Sequence, residues 1–174
     1  KISAMVKIKS GFPGERAVIL PASIVEELHH DELCRHLFIT DIGFYPNAIF
    51  HHRRRTRTEA NQYILIYCLE GCGWVETEGI KQTVDAGQFF VLPKGQAHAY
   101  GSNHKNPWSI YWIHFDGSLA EYFAENLNKV QKIGTDVNSR IEERVMMFEE
   151  IFHSLRNGYS KSNLGFSSSC LFHF

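Results

Sequence analysis

His98, Tyr100, Trp108, Trp112 and His114 lie close together in this chain, and the run HHRRRTR, His51 to Arg57, adds four arginines upstream. Imidazole, phenol and indole groups on extended backbone hydrogen-bond to, and stack on, a small polar molecule. Guanidinium adds a rigid fork of donors. Histidine is also a general base and a metal ligand. The segment GQFFVLPKGQAHAY has the form G-x5-P-x-G-x2-H, with Gly87, Pro93, Gly95 and His98 at the fixed positions. It reads as a strand, a Pro-Gly turn and a returning strand that aims His98 inward beside Tyr100. A catalytic metal generally takes about three protein ligands. The preceding stretch LEGCGWVETE, Leu69 to Glu78, has no histidine to contribute. Neither a metal nor a cofactor is expected.

Side chains on a strand repeat every second residue. If Trp112 points inward in WSIYWIHF, so do Trp108, Ile110 and His114. The intervening Tyr111, Ile113 and Phe115 are apolar too, so this strand is expected to be covered on both faces, with the C-terminal helices as its outer cover. Each group also has a plainer reading. The tryptophans suit an ordinary core, the histidines satisfied core positions, and the arginine run a solvated loop.

The elements around these residues are short runs rich in Ile, Val, Phe, Tyr and Trp, punctuated by Gly, Pro, Asn and Asp from His36 to Phe115. That pattern predicts a many-stranded antiparallel sheet or barrel. Trp74 to Val84 reads as a hairpin turning at Gly79. After Asp116 the apolar period lengthens to that of a helix. Leu119, Tyr122, Phe123 and Leu127 mark one stretch. Ile141, Val145, Phe148, Ile151, Phe152 and Leu155 mark the next. A loop from Gly134 to Ser139 separates the two, with Ser139 as a capping residue. Upstream, the helix-like stretch is Ser23 to Leu28, with Ser23 as its cap. Residues 1–35 are expected to be an arm rather than core, and 159–174, small and polar, a linker.

Eighteen basic and nineteen acidic residues among 174 give a net charge of −1, which is no footprint for gripping a nucleic-acid backbone. No apolar run approaches the roughly 20 residues of a membrane span. Cys34, Cys68, Cys72 and Cys170 show no C-x-x-C pair or knuckle and read as buried free thiols of a reducing compartment, so the cytoplasm is expected. The chain starts at Lys1 and ends on an apolar CLFHF, which reads as a piece of a longer protein.

The segment from Gly87 to His98 resembles the second conserved motif of the cupin superfamily of jelly-roll barrels. Metal-binding cupins take most ligands from an earlier H-x-H followed by Glu, which this chain lacks. AGQFFVLPKGQAHAYG, 86–101, taken together with WSIYWIHFDG, 108–117, resembles the effector-binding and dimerisation domain of the AraC family of bacterial transcription regulators. The resemblance covers roughly residues 36–157. It implies a mainly β fold, a cupin-like jelly-roll barrel followed by two C-terminal α-helices. The implied order is an N-terminal arm (1–35), an effector-binding barrel (36–116), a helical dimerisation subdomain (117–158) and a linker (159–174) towards a DNA-binding domain absent from the chain.

In arabinose-sensing members the sugar stacks on a tryptophan and is held by tyrosine, histidine and arginine. Tyr100 and Trp112 match the tyrosine and tryptophan, while Ile110 stands where that histidine would be, which implies a different ligand or pose. Of the four arginines, Arg55 is favoured. The expected ligand set is Arg55, His98, Tyr100, Trp108, Ile110, Trp112 and His114. Val145, Phe148, Ile151, Phe152 and Leu155 are the expected dimer contact. The function implied is a non-enzymatic sensor of a small polar effector, by preference a sugar, acting as a homodimer that reaches DNA only through the absent domain and has no membrane partner. The rivals are a cupin-type sugar isomerase or epimerase, with His98 as base and Tyr100 as acid, and a ligand-free dimerisation scaffold.

Overall fold

The structure, a computed structural model, describes residues 6–125, 127, 129–134 and 137–174. The β-branched and aromatic runs form β1 (Arg16–Ile19), β2 (Phe38–Tyr45), β3 (His52–Arg55), β4 (Tyr63–Glu70), β5 (Cys72–Thr77), β6 (Ile80–Asp85), β7 (Gln88–Leu92), β8 (His98–Ser102), β9 (Ser109–Asp116) and β10 (Gln131–Lys132). The helices are α1 (Ala22–His30), the short α2 (Ala120–Ala124), and the two long C-terminal helices α3 (Ile141–Arg156) and α4 (Lys161–His173). The strands pair antiparallel in two sheets, ordered β1-β2-β9-β4-β7-β10 and β3-β8-β5-β6. The mainly β barrel followed by C-terminal helices matches the sequence's prediction, but the first predicted helical stretch, Leu119 to Leu127, is only the short α2, and the second long helix, α4, lies beyond the predicted pair.

Alternation divides the molecule into two cores. Inward residues of the facing sheets, among them Ile64, Ile66, Val75, Phe90, Trp108 and Ile110, fill the barrel. The outer face of the six-stranded sheet carries Tyr111, Ile113 and Phe115, which pack with Phe148, Ile151 and Leu155 of α3. β9 is therefore buried on both sides, as expected from its apolar parity. Tyr111 meets Phe148 edge to face at 4.5 Å between ring centroids. Arg16 of β1 forks onto Glu149 of α3 at 2.7 and 2.8 Å, clamping the helix to the sheet edge. The β5–β6 hairpin turns through Glu78 (φ 51) and Gly79 (φ 77), two left-handed residues that suit the twist of a two-residue hairpin loop.

Several expectations need correction. Residues 1–35 are more than an arm: β1 pairs with β2, and Phe12, Val18, Leu20 and Leu28 are buried. Residues 1–5 lie outside the described residues. Pro21 rather than Ser23 precedes α1, and Arg140, at φ 50, rather than Ser139 precedes α3. Thr135 and Asp136 of the loop between the C-terminal helical stretches also lie outside the described residues.

The stretch expected to be a linker is largely α4. Ser160 caps it by accepting from the Asn163 N–H at 3.2 Å. Its small residues are its packing face, with Gly165, Ser167 and Ser168 buried, so composition alone mimics a flexible segment. The dimer stripe is corrected as well. Phe148, Ile151, Phe152 and Leu155 are no more than 3% exposed within a single chain, and Val145 packs against the same core. One side of the stripe meets the barrel and another meets α4, so Phe148, Ile151, Phe152 and Leu155 have almost no surface left for a partner, while Val145 stays partly exposed.

Candidate functional site

A cavity of about 250 Å³ opens among the inward side chains at one end of the barrel. β9 supplies Ile110, Trp112 and His114, all on the parity expected. Trp112 lies opposite Gly43 of β2 and Ile66 of β4. A Cβ at Gly43 would overlap the Trp112 indole, so glycine makes the space in which the ring lies. The Trp112 Nε1–H is buried with no hydrogen-bond partner among the described residues.

The facing sheet supplies Tyr100 from β8, with Arg53 and Arg55 from β3 and His51 just before it. Register places Arg53 beside Tyr100 and Arg55 beside His98. Two-residue periodicity brings His51, Arg53 and Arg55 to the same side, while Arg54 turns away and pairs with Glu76 at 3.6 Å. The Arg55 Nη1 reaches Tyr100 Oη at 3.4 Å.

The polar wall formed by β2, by Gln62 just before β4 and by His114 of β9 is not apparent in the sequence. Asp41 Oδ2 accepts from Thr40 Oγ1 at 2.7 Å and from Gln62 Nε2 at 3.0 Å, and lies 3.4 Å from His114 Nδ1. His114 Nδ1 also lies 3.2 Å from Gln62 Oε1. Burial alone would raise the Asp41 carboxyl, but the donors His114, Thr40 and Gln62 hold it below the ordinary carboxylate range. Burial pushes the His114 imidazole down against the pull of Asp41, with Arg55 and Arg53 pushing further. The pair is thus a carboxylate and a neutral imidazole whose Nδ1 carries the proton. His51 is pushed down to about 3 by burial and by the fields of Arg53, His52 and Arg55.

Of the expected ligand set, Arg55, Tyr100, Ile110, Trp112 and His114 line this cavity together. Two do not. Trp108 is fully buried beneath it, its Nε1 donating to His51 Nδ1 at 3.2 Å. His98 lines a separate depression with Arg54, Arg57 and Glu76, and Arg55 borders both. The His98 ring lies parallel to Tyr100 with 6.0 Å between centroids, its Nδ1 is 2.9 Å from the Gln96 carbonyl, and burial pushes it down to about 4.

Arg53, His51, Asp41, Tyr45 and Gln62 were not singled out as ligand residues by the sequence. For Asp41 the reason is a β-bulge. Ile39 pairs with Phe115 and Asp41 with His114, so Thr40 is an extra residue that turns Ile39 to the outer core and Asp41 into the cavity. For Arg53, strand parity with Arg55 was the available signal.

A second cavity of about 280 Å³ separates the barrel's outer face from the helices. Leu65, Phe89, Val91, Phe123 and Ile141 line it, and its few polar neighbours include Ser139 and Arg144. It is a packing seam with little to offer a hydroxylated molecule. Among the described residues, no three His, Cys, Asp or Glu side chains converge as metal ligands. The Cys68 thiol is pushed up to about 12 by burial, which makes it a packing residue rather than a nucleophile. No helix among the described residues is long and apolar enough to cross a membrane.

Two facing antiparallel sheets around a polar-walled cavity, with a helical layer outside, make a barrel open to a bound molecule. Residues 44–172 match the AraC-like ligand binding domain, and the chain belongs to that family. It is 36% identical over 107 residues to the MmsAB operon regulatory protein of Pseudomonas aeruginosa strain PAO1, covering 59% of this chain and 34% of that protein. It is 33% identical over 60 residues to the raffinose operon transcriptional regulatory protein RafR of Pediococcus pentosaceus, covering 34% of this chain and 22% of that protein. The chain thus spans about a third or less of these relatives' length. Among solved structures it is similar to the AraC-like transcriptional activator CuxR, with 11% identity, a TM-score of 0.44, and coverage of 76% of this chain and 55% of that one.

Proposed function

We propose that this chain is the effector-sensing and dimerisation part of a transcription regulator, and that it binds a small polar molecule of the sugar class inside the barrel without chemical turnover. One observation carries the reading: guanidinium, phenol, indole, imidazole and carboxylate groups from both sheets converge on one cavity of about 250 Å³. That is the scale of one sugar ring with its hydroxyls. Trp112 offers an apolar face to ring C–H groups. Asp41, Gln62 and Tyr100 satisfy hydroxyls that would be costly to bury unpaired. The raffinose relative's name supports the sugar class.

The enzyme reading is disfavoured by its own pair. His98 lines a different depression from the cavity that Tyr100 lines, so the two are not placed on a common reacting atom. The ligand-free scaffold is disfavoured because a closed core would be filled with apolar groups rather than bordered by two arginines.

Homodimerisation is retained in the reading with a different contact. The buried stripe of α3 is replaced by its exposed side, where Met146 is 63% exposed. In a full-length regulator, coupling of two such domains would set the spacing of two DNA-binding units.

A thermal-shift screen of monosaccharides and sugar acids tests the sensor. A true effector at a hundred times its dissociation constant stabilises the fold by about 2.7 kcal/mol. Trp112→Phe should retain a folded barrel and weaken that effector about tenfold. Unchanged affinity in folded Trp112→Phe would place the ligand elsewhere.

A further inference from the structure

The charges facing the cavity do not cancel. Arg53 and Arg55 both border it, and neither forms an ion pair with a described residue, whereas their neighbour Arg54 has Glu76. The acid on the opposite wall is Asp41, and its Oδ2 is already engaged by Thr40, Gln62 and His114. Glu15, which acts on Tyr45 at the cavity wall, turns its carboxylate to the Gly11 and Phe12 N–H groups at 2.6 and 2.8 Å. The imidazoles of His51 and His114 are held neutral. Two half-buried guanidiniums therefore face one carboxylate across the cavity.

A neutral polyol would supply acceptors to those arginines but leave one of the two half-buried positive charges without a counter-ion inside the cavity, since Glu59, which also acts on Arg55, does not line it. A carboxylate removes the imbalance, and its two oxygens match the guanidinium fork. A phosphate, at about −1.5 to −2 near neutral pH, overshoots a single surplus charge.

We propose that the effector is a hydroxylated monocarboxylate of the sugar-acid class, its carboxylate seated at Arg53 and Arg55 and its hydroxyls facing Asp41, Gln62 and His114. This rests on the reading of the cavity as the effector site and adds the ligand's charge and orientation to it.

The test is isothermal titration at low ionic strength with matched pairs that differ at one carbon: D-glucuronate against D-glucose, and D-galacturonate against D-galactose. The acid of at least one pair should bind about tenfold or more tighter than its parent, the gain expected of a hydrogen bond to a charged group. The preference should shrink as salt rises. It should be lost in Arg53→Gln and in Arg55→Gln, and kept in Arg57→Gln, whose exposed side chain does not line this cavity. A parent sugar that binds as well as its acid overturns the anionic assignment and leaves the sensor reading standing. An acid preference that survives both arginine substitutions overturns the seat. No response to any of the four by folded protein overturns the sugar-sensor reading and this inference with it.

Discussion

The Trp108 indole donates from Nε1 to Nδ1 of His51 at 3.2 Å, and both residues are buried. An indole N–H only donates, so Nδ1 of His51 is the acceptor and the ring proton sits on Nε2. A bond between the residues leading into β9 and β3 thereby fixes the tautomer of a cavity-lining histidine. Trp108, expected to touch ligand, instead positions a residue that lines the cavity.

His51→Leu strands the Trp108 N–H in an apolar surround. The expected cost is about 1–3 kcal/mol by urea unfolding. Adding Trp108→Phe removes the stranded donor, so the double variant should lose clearly less than the sum of the singles. Strict additivity would show that the two side chains are not coupled.

Stability should fall with acid before the carboxylates titrate. His51 and His98 have folded-state pKa values of about 3 and about 4, below the ordinary histidine value of 6.5. The unfolded chain then binds more protons than the folded one below pH 6.5. Their contribution is complete above that pH and is lost as pH falls towards 4, at up to about 1.4 kcal/mol per unit for each ring. Urea midpoints at pH 7, 5.5 and 4.5 measure the slope. His98→Gln should flatten it, and an unchanged slope in that variant would rule His98 out as a contributor.

Gly43→Ala places a methyl group against the Trp112 indole and 2.7 Å from the Arg16 carbonyl. Overpacking of this kind costs about 1–3 kcal/mol. Thermal melting should report that loss, and tryptophan emission should shift as the ring is displaced. A variant that melts and emits like wild type would mean that the strand yields without moving Trp112.

Met146→Glu charges the exposed side of α3 without entering the core, so the chain should remain folded. Sedimentation should show wild type as a dimer at micromolar concentration and the variant as a monomer. A wild-type chain that is monomeric at high micromolar concentration would remove homodimerisation through this face.

The amino-acid pattern alone determined the barrel, the hairpin at Gly79 and the inward parity of Ile110, Trp112 and His114, because strand alternation and turn chemistry are local. Tyr100 and Arg55, by contrast, were suggested by the family resemblance rather than by pattern, and both line the cavity. What the pattern missed depends on relations between distant segments. The Thr40 bulge is a mismatch between β2 and β9, and without that register Asp41 has the parity of Ile39 and faces the wrong core. α4 carries too little apolar periodicity to be read as a helix. Its glycine and serines become a packing face only once α3 and β2 are present for close approach. The stripe on α3 was legible as a buried face, but a stripe states only that it needs a partner. Tertiary structure decided that this partner is the chain's own barrel and α4, because contact within one chain is available at any concentration, whereas contact with a second copy is not.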